Sequence, residues 1–250
     1  MIYICIPSRD EERTIGVLLW KVRKVMLELG RDYRILVLDD ASSDGTVALL
    51  EKYKRVLPLT ILQEKQPVGY RRALERLIRE ASNKARYPKR DAIVTMQGDF
   101  TESPDYLTTL IKTYEGGADI VAGRLEDDIV NPPRRVRLAR WLGGMALKRA
   151  YAGAPVHDPL VGFRAYRAVV VKKALRGAGD RNLLTREGWA ANAELMKVLA
   201  PYTRRIAEAP LGLRYDIRWR GTRVRPLRTV REILRVANVR PLEAEGVEAA

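Results

Sequence analysis

The stretch that decides the fold is LVLDDASSDGT, at residues 36–46. A run of apolar residues ends at Asp39 and Asp40, and a turn rich in Ser, Asp and Gly then leads to a helix that begins near Thr46. Continuous apolar runs are typical of buried parallel strands, and Gly, Asp and Ser favour the turns that follow them. The stretch therefore predicts a strand, a polar loop and a helix, which together form the repeating unit of an α/β fold.

The same unit recurs through the first half of the chain. Short apolar runs alternate with segments of helical period, which predicts a mostly parallel sheet with helices on both of its faces. The runs lie at residues 2–7, 34–39, 59–63, 92–97 and 118–123. The first covering helix is predicted, behind a glutamate-rich first turn, from the helical spacing of Ile15, Leu18, Leu19, Val22, Met26 and Leu29. Right-handed crossovers would bring the carboxyl ends of the strands to one edge, where open α/β sheets bind ligands.

The second half of the chain is less regular. We predict a basic helix that begins after Asn131, a strand at 162–167 and a helix near 187–199. A length of 250 residues, 46% of them hydrophobic, suits one large domain with a single core. We therefore expect one domain at residues 1–240 and a flexible tail at residues 241–250, where the sequence is acidic and its side chains are small.

The chain is strongly basic. Lys and Arg number 46 and Asp and Glu 31, which leaves a net charge of +15. Such an excess favours nucleic acid, phospholipid headgroups or phosphorylated substrates as partners, and charge alone does not choose among them. Arg outnumbers Lys 34 to 12, and Asn plus Gln total eight, a bias that points to a thermophile. The single cysteine, Cys5, lies in an apolar run, so we expect a buried thiol, no disulfide within the chain and a reducing cytoplasm.

Two segments are candidates for contact with a membrane. No stretch has the roughly 20 apolar residues that span a bilayer, and the chain starts with a strand-like run, so we expect no signal peptide and a soluble or peripheral protein. Residues 129–157 lack Asp and Glu, and one helical face would carry Leu138, Trp141, Leu142 and Met145. The stretch 218–240 repeats the pattern with Leu227, Val230, Ile233 and Leu234. Such helices lie in a membrane interface, or pack in a core with a solvated basic face, and both interpretations stay open.

Carboxylates follow two of the predicted strands. Asp39 and Asp40 are suited to accept hydrogen bonds from a base or a ribose, whereas we interpret Asp44, in the next turn, as a helix cap. In TMQGDFTESPD, at 95–105, Asp99 follows the end of another strand. A carboxylate at this edge suits a divalent cation that neutralises a diphosphate, although the same residue types also form ordinary strand-end turns.

Seven segments, read in order, resemble one known family. This is the large family of inverting glycosyltransferases, family two, that includes dolichol-phosphate mannosyltransferases and polyprenyl-phosphate glucosyltransferases. IPSRDEERTIG (6–16) resembles its Pro-x-Tyr-Asn-Glu opening, and LVLDDASSDGT and TMQGDFTESPD resemble its Val-Asp-Asp-Gly-Ser-x-Asp-Gly-Thr and Met-Asp-Ala-Asp motifs. The other matches are QPVGYRRAL (66–74), GGADIVAGR (116–124), DPLVGFRAYR (158–167) and RWRGTR (218–223). Seven matches in the order of the family are far more specific than any one of them.

The resemblance implies a fold and a set of site residues. The fold would be the Rossmann-like GT-A fold, with a nucleotide-sugar-binding half at 1–125 and an acceptor half at 126–240. The nucleotide would be bound by Pro7, Arg9, Glu11, Asp39, Asp40 and Gln97. A metal ion, Mg²⁺ or Mn²⁺, would be held by Asp99 and Gln97. The implied catalytic residues are Asp99, Arg124, Arg137, Arg218, Arg223 and Asp158.

The sequence departs from the family pattern at four of these motif positions. They are Arg9 in place of an aromatic residue, Asp10 in place of Asn, Gln97 in place of a carboxylate and Val161 in place of Ser. Gln97 is a neutral and weaker metal ligand than Asp, so we expect activity to need Mg²⁺ or Mn²⁺ at a higher concentration than in relatives with two carboxylates.

The implied reaction moves mannose or glucose, from GDP-mannose or UDP-glucose, to a polyprenyl or dolichyl phosphate with inversion. A phosphate monoester is already anionic near neutral pH, so it needs arginines to hold it and no general base. We expect the enzyme to work as a peripheral protein at the cytoplasmic face of the membrane, with a membrane-anchoring subunit as a candidate partner.

Two alternatives follow from the same residues. A hydroxyl acceptor, soluble or on a polysaccharide, would require a general base, for which Asp158 and Glu194 are the candidates. A nucleic-acid-binding protein would explain the charge, but the basic residues are not interleaved with a stacking platform and only two Phe are present. We therefore expect no nucleic-acid partner.

Overall fold

The computed structural model describes residues 1–130, 132–150, 155–216, 221 and 224–239. Within these ranges the strands are β1 (Ile2–Ser8), β2 (Tyr33–Asp39), β3 (Leu59–Gln63), β4 (Ala92–Thr95), β5 (Ile120–Val130), β6 (Arg164–Arg167) and β7 (Ile206–Arg214). The α-helices are α1 (Ile15–Leu29), α2 (Thr46–Lys54), α3 (Tyr70–Lys84), α4 (Leu107–Glu115), α5 (Arg134–Ala150), α6 (Ala168–Ala178), α7 (Trp189–Leu199) and α8 (Pro226–Arg235). The predicted cap Asn131 and the predicted tail at 241–250 lie outside the described residues.

The strands form one sheet in the order β3-β2-β1-β4-β6-β5-β7. β1 pairs in parallel with β2 and β4, β2 with β3, and β5 with β7. Among the described strands, β6 alone runs antiparallel to its neighbours. The prediction of a mostly parallel α/β sheet is confirmed, and the carboxyl ends of β1, β2 and β4 lie at the same edge.

Helices cover both faces of the sheet, as predicted. Alternate side chains along a strand face opposite sides. Along β1, the residues Ile2, Ile4 and Ile6 pack in a core with α1 and α4, whereas Tyr3 and Cys5 pack in a second core with α3, α6 and α7. Cys5 is fully buried, and burial raises the pKa of its thiol, so the expected buried cysteine is confirmed.

The loop between β1 and α1 differs from the prediction. α1 begins at Ile15, so Glu11 and Glu12 precede the helix, and the predicted glutamate-rich first turn is wrong. These residues instead join the loop after β1 to the loop after β2. The N–H of Glu11 donates to Thr46 Oγ1 at 2.9 Å, and Glu12 Oε2 accepts from the N–H of Gly45 at 3.0 Å. Two loops at the carboxyl edge are therefore fixed to each other.

A third core joins α5, α7 and α8. It contains Leu147 of α5, Ala193 of α7 and Ile233 of α8. Gly143 allows α8 to approach α5, since a Cβ there would lie 3.0 Å from Ile233 Cδ1. The buried side of α5 is formed by Val136, Ala139, Ala146 and Leu147, while Leu138, Trp141 and Met145 are exposed. The sequence pattern identified the face of Leu138, Trp141 and Met145 as the apolar one. The structure shows that α5 packs through the face of Val136 and Ala139 instead.

Candidate active site

Three loops at the carboxyl edge carry backbone strain. The loops after β1, β2 and β4 hold Asp10 (φ 51°), Ala41 (φ 53°) and Phe100 (φ 63°) in the left-handed region. Such a conformation costs a non-glycine residue on the order of 1 kcal/mol and persists where the surrounding structure imposes it. Strain of this kind clusters at functional sites, and here it lies at the edge where the sequence predicts the site.

A cavity of about 170 Å³ lies at the ends of β1 and β4. Six predicted site residues line it: Pro7, Arg9, Glu11, Asp40, Gln97 and Asp99. Ser8 and Tyr70 line it too. Within the described part of the chain, the buried Ser8 hydroxyl has no hydrogen-bond partner, and buried Arg9 Nε has only an ion pair with Asp10 at 3.8 Å, although buried polar groups normally form hydrogen bonds. The walls of this cavity therefore hold polar groups that a ligand can satisfy.

Asp40 lines this cavity and Asp39 does not. Asp39 accepts hydrogen bonds from the N–H and the hydroxyl of Ser42, so it closes the loop after β2. Asp40 accepts from the N–H of Val68 at 2.5 Å and from the N–H of Gly69 at 3.1 Å. Asp40 therefore connects the end of β2 to the start of α3 beside the cavity.

A larger cavity of about 740 Å³ shares part of its lining with the first. The shared residues are Arg9, Tyr70, Gln97 and Asp99. The other walls come from α5, the start of α7 and α8, and include Arg135, Glu187, Gly188, Trp189, Arg225, Arg228, Thr229 and Glu232. Sequence reasoning assigned no site role to any of these, because charged residues on amphipathic helices are usually solvated.

The loop that carries Asp99 suits a cation with few protein ligands. Asp99 is buried and accepts a hydrogen bond from the N–H of Thr101 at 3.1 Å, and Gln97, whose side chain carries an amide oxygen, lines the same two cavities. The described part of the chain holds no cluster of three or more His, Cys, Asp or Glu that could bind a metal. One carboxylate and one amide fit Mg²⁺ or Mn²⁺, which take oxygen ligands from substrate phosphates and water as well.

Glu102, which sequence reasoning missed, supports this loop. It is buried and accepts a hydrogen bond from the N–H of Gln97 at 2.8 Å. Burial raises the pKa of Glu102 to about 8; the hydrogen bond from Gln97 lowers that pKa, and nearby Asp99 raises it. No sequence signal distinguishes Glu102 from the other polar residues of 95–105, since its burial arises from tertiary packing.

The predicted catalytic arginines lie apart from these cavities or outside the described residues. Arg124, on β5, lines a separate hollow. Arg137 is exposed on α5, two residues beyond Arg135 of the larger cavity. Arg218 and Arg223 lie outside the described residues. The catalytic roles of these four arginines stay predictions.

Three carboxylates discussed from the sequence hold loops in place. Asp158 forms an ion pair with Arg140 and accepts a backbone hydrogen bond within its own turn. Glu194 is buried and accepts from two backbone N–H groups of the loop before α7. Asp44 accepts from the N–H of the first residue of α2 at 3.0 Å, which confirms its role at the helix start. Neither Asp158 nor Glu194 lines either of the two cavities.

A sheet with a carboxylate-lined cavity at its carboxyl edge, and a loop suited to Mg²⁺ beside it, is the arrangement expected of nucleotide-sugar transferases with the GT-A fold. The family model described as Glycosyl transferase family 2 matches residues 3–175. The chain belongs to this family and is a glycosyltransferase.

Several curated relatives are similar to the chain. It is 26% identical over 176 residues to the dolichol-phosphate mannosyltransferase of Pyrococcus furiosus, a match that covers 68% of this chain and 47% of that protein. It is 25% identical over 177 residues to the undecaprenyl-phosphate 4-deoxy-4-formamido-L-arabinose transferase of Pseudomonas fluorescens, with 69% and 48% covered. For the polyprenol monophosphomannose synthase of Mycolicibacterium smegmatis the identity is 25% over 187 residues, with 71% and 65% covered. The chain spans about half the length of the first two relatives.

Solved structures confirm the GT-A fold. Glucosyl-3-phosphoglycerate synthase from Mycobacterium tuberculosis, in complex with Mg²⁺ and uridine diphosphate, is 19% identical with a TM-score of 0.65, covering 94% of this chain and 77% of that one. The same enzyme with Mn²⁺, UDP-glucose and phosphoglyceric acid gives 18% identity and a TM-score of 0.64, covering 96% and 80%. At these identities the likeness shows the fold alone.

Replacing Asp40 by Asn is expected to weaken the binding of a nucleoside diphosphate by about 1–3 kcal/mol, the range for a buried hydrogen-bonding group given a poorer partner. The amide would present a donor where the carboxylate accepts from the backbone beside the cavity. Titration calorimetry with UDP and GDP measures the change. Asp44→Asn, at a carboxylate outside the cavities, is the control and is expected to retain the affinity of the unmodified protein. Unchanged affinity in Asp40→Asn would remove this residue from the nucleotide site.

Proposed function

We propose that this glycosyltransferase moves a hexose, mannose or glucose, from a nucleoside-diphosphate sugar to a polyprenyl phosphate at a membrane surface, with inversion. One observation carries the proposal. Arg135 of α5, Arg228 of α8 and Arg225, the residue just before α8, line the same cavity as Asp99. Arginine binds phosphate oxygens through a planar fork of donors. The cavity therefore offers a cation site for the leaving diphosphate and, on other elements, arginines for an acceptor phosphate.

The chemistry suits an anionic acceptor. An oxygen of the acceptor phosphate would attack the anomeric carbon in line with the leaving diphosphate, which inverts the configuration. Bound at Asp99 and Gln97, Mg²⁺ or Mn²⁺ would supply charge neutralisation for the diphosphate. Because the phosphate is already charged, no side chain has to remove a proton. The engagement of Asp158 and Glu194 in loop contacts supports this acceptor over a hydroxyl.

The names of the relatives support a lipid phosphate. The three relatives described above are named for dolichol, undecaprenyl and polyprenol phosphates or their products. Their identities to this chain are 25–26%, and the chain covers about half of two of them. A lipid phosphate acceptor is therefore a proposal for this chain, and it rests on the arginine wall, by which we mean Arg135, Arg225 and Arg228.

Exposed apolar side chains lie on both α5 and α8, and we propose that they act together as one membrane-facing surface. We call it the membrane platform; it consists of Leu138, Trp141 and Met145 on α5 and Leu227 and Leu234 on α8, all exposed. The two helices pack against each other. Among the described residues, no helix is long and apolar enough to cross a bilayer. Apolar side chains flanked by arginines suit an interface with anionic lipid headgroups.

Anionic phospholipid vesicles are expected to bind the protein at low salt and release it at high salt, because salt screens the attraction. Replacing both Trp141 and Leu227 by Ser should weaken vesicle binding by tenfold or more, since each buried large apolar side chain contributes about 1.5–3 kcal/mol. Cosedimentation measures the effect. Trp20→Ser on α1 is a matched control, because that ring is 52% exposed against 64% for Trp141. An equal loss in the control, or no loss in the platform variant, would contradict this surface.

A further inference from the structure

We propose that Glu187 and Trp189 form the subsite for the sugar of the donor, and that this subsite takes a neutral, hydroxyl-rich hexose. The inference rests on the proposed function in one respect, which is that the donor is a nucleoside-diphosphate sugar. Both residues line the larger cavity, together with Gln97 and Asp99, the two residues to which we assign the cation. A sugar attached to a diphosphate at these two residues would extend into this cavity.

Glu187 is held in a fixed orientation. Its Oε1 accepts from Arg71 Nε at 2.9 Å, and the guanidinium of Arg71 also donates to the carbonyl of Leu184 at 2.9 Å. The Arg71 side chain is 12% exposed and that of Glu187 is 35% exposed, so the arginine that anchors the carboxylate is the more buried of the two. The other oxygen, Oε2, lies near the cavity-lining Gly69, where an added Cβ would be 3.5 Å away. Oε1 of Glu187 is therefore anchored by Arg71, and Oε2 lies on the side of the cavity that Gly69 lines.

The turn at Gly188 brings Trp189 to the same wall. Gly188 has φ 60° and ψ −138°, a conformation that is essentially restricted to glycine. Because of this turn, Glu187, Gly188 and Trp189 all line the cavity in succession. Trp189 also packs against the core of α5, α7 and α8, which fixes the ring. A rigid aromatic surface therefore lies beside an oriented carboxylate.

These two groups specify the chemistry of the ligand. An ionised carboxylate only accepts hydrogen bonds, so its partner must present donors such as sugar hydroxyls. An aromatic ring offers an apolar surface on which the C–H face of a pyranose can pack. A sugar carboxylate placed against Glu187 would meet a like charge and be repelled. The carboxylate and the ring of this subsite therefore favour a neutral hexose over a uronic acid.

The test compares binding of the nucleotide with binding of the nucleotide sugar. Calorimetry would measure affinities for UDP, UDP-glucose, GDP, GDP-mannose and UDP-glucuronic acid. Glu187→Ala, which loses a charge-assisted hydrogen bond, and Trp189→Ala, which loses the apolar packing surface, are each expected to weaken binding of the preferred nucleotide hexose by about tenfold. Both variants should leave the affinity for the nucleotide alone unchanged. Glu187→Gln can still accept from Arg71, so it keeps the loop in place and should show a smaller loss.

A matched control comes from α3. Glu80→Gln removes a carboxylate that pairs with Lys84 and lines neither cavity, and it should change none of the affinities. Equal losses for nucleotide and nucleotide sugar in the Glu187 and Trp189 variants, or wild-type affinity for UDP-glucuronic acid matching that for UDP-glucose, would overturn the sugar subsite alone. If the unmodified protein binds neither UDP-glucose nor GDP-mannose better than the free nucleotides, the proposed donors fail and the subsite fails with them.

Discussion

Replacing Asp99 by Ala is expected to reduce sugar transfer by on the order of a thousandfold, the loss typical of a main charge-stabilising group in an active site. Asp99 is the buried carboxylate that both cavities share, and the residue to which we assign the cation. The fold should remain, because the hydrogen bond that Asp99 accepts from the N–H of Thr101 contributes about 1 kcal/mol. Mass spectrometry of a membrane extract incubated with enzyme and nucleotide sugar measures transfer, and circular dichroism checks the fold.

Asp105→Asn is the matched control for this change. Asp105 belongs to the same segment but pairs with Lys21 and lines neither cavity, so transfer should persist. Metal titration gives a second readout of the same site. Because Gln97 is a weak ligand, half-maximal activity should require more Mg²⁺ than in a Gln97→Asp variant. Near-normal turnover in Asp99→Ala, or full activity in excess chelator, would show that arginines alone stabilise the diphosphate.

Replacing Arg228 by Gln should lower transfer to a polyprenyl phosphate by about 10-fold to 100-fold, since hydrogen bonds to charged groups contribute about 1.5–3 kcal/mol. Gln keeps a polar side chain and loses the charge and the fork. Nucleotide binding, measured by calorimetry, should stay unchanged, because the acceptor-side arginines lie on different elements from the small cavity.

Arg231→Gln provides the comparison on the same helix. Arg231 is exposed, lies three residues from Arg228 and does not line the cavity, so its loss should affect transfer little. Equal effects at the two positions would indicate that general surface charge, rather than a phosphate site, explains the result. Efficient transfer to a water-soluble alcohol, with no transfer to lipid phosphate, would make the acceptor assignment wrong.

The sheet and the residues that line the smaller cavity could be predicted because both are encoded locally. Asp40, Gln97 and Asp99 lie close behind apolar strands, and parallel strands bring such positions to one edge whatever the details of packing. Six predicted residues accordingly line one cavity. The strand assignments share the same origin, since continuous apolar runs with turn residues behind them identify buried strands directly.

The opposite walls could not be predicted, because they depend on how helices pack. The sequence does not distinguish Arg228 from Arg231, since both are arginines on the same amphipathic helix. Arg228 lines the cavity and Arg231 does not because of the way α8 packs against α5. On α5, hydrophobic periodicity identified the face of Trp141, but Val136 and Ala139, which are smaller, form the buried side. The role that we propose for Glu187 in the sugar subsite depends on the turn at Gly188. The dihedral angles of that turn cannot be predicted from hydrophobic periodicity.

The core beneath α5, α7 and α8 is much smaller than the other two. Within the described residues it contains seven buried apolar side chains, against 30 and 27 in the cores on the sheet. Cooperative units with few buried apolar contacts open at a lower free energy than the whole domain. We therefore expect the helices that carry the arginines to open at a lower free energy than the sheet side of the site. If the acceptor is the proposed polyprenyl phosphate, such local opening would let its long chain enter sideways from the bilayer, without threading through a closed channel.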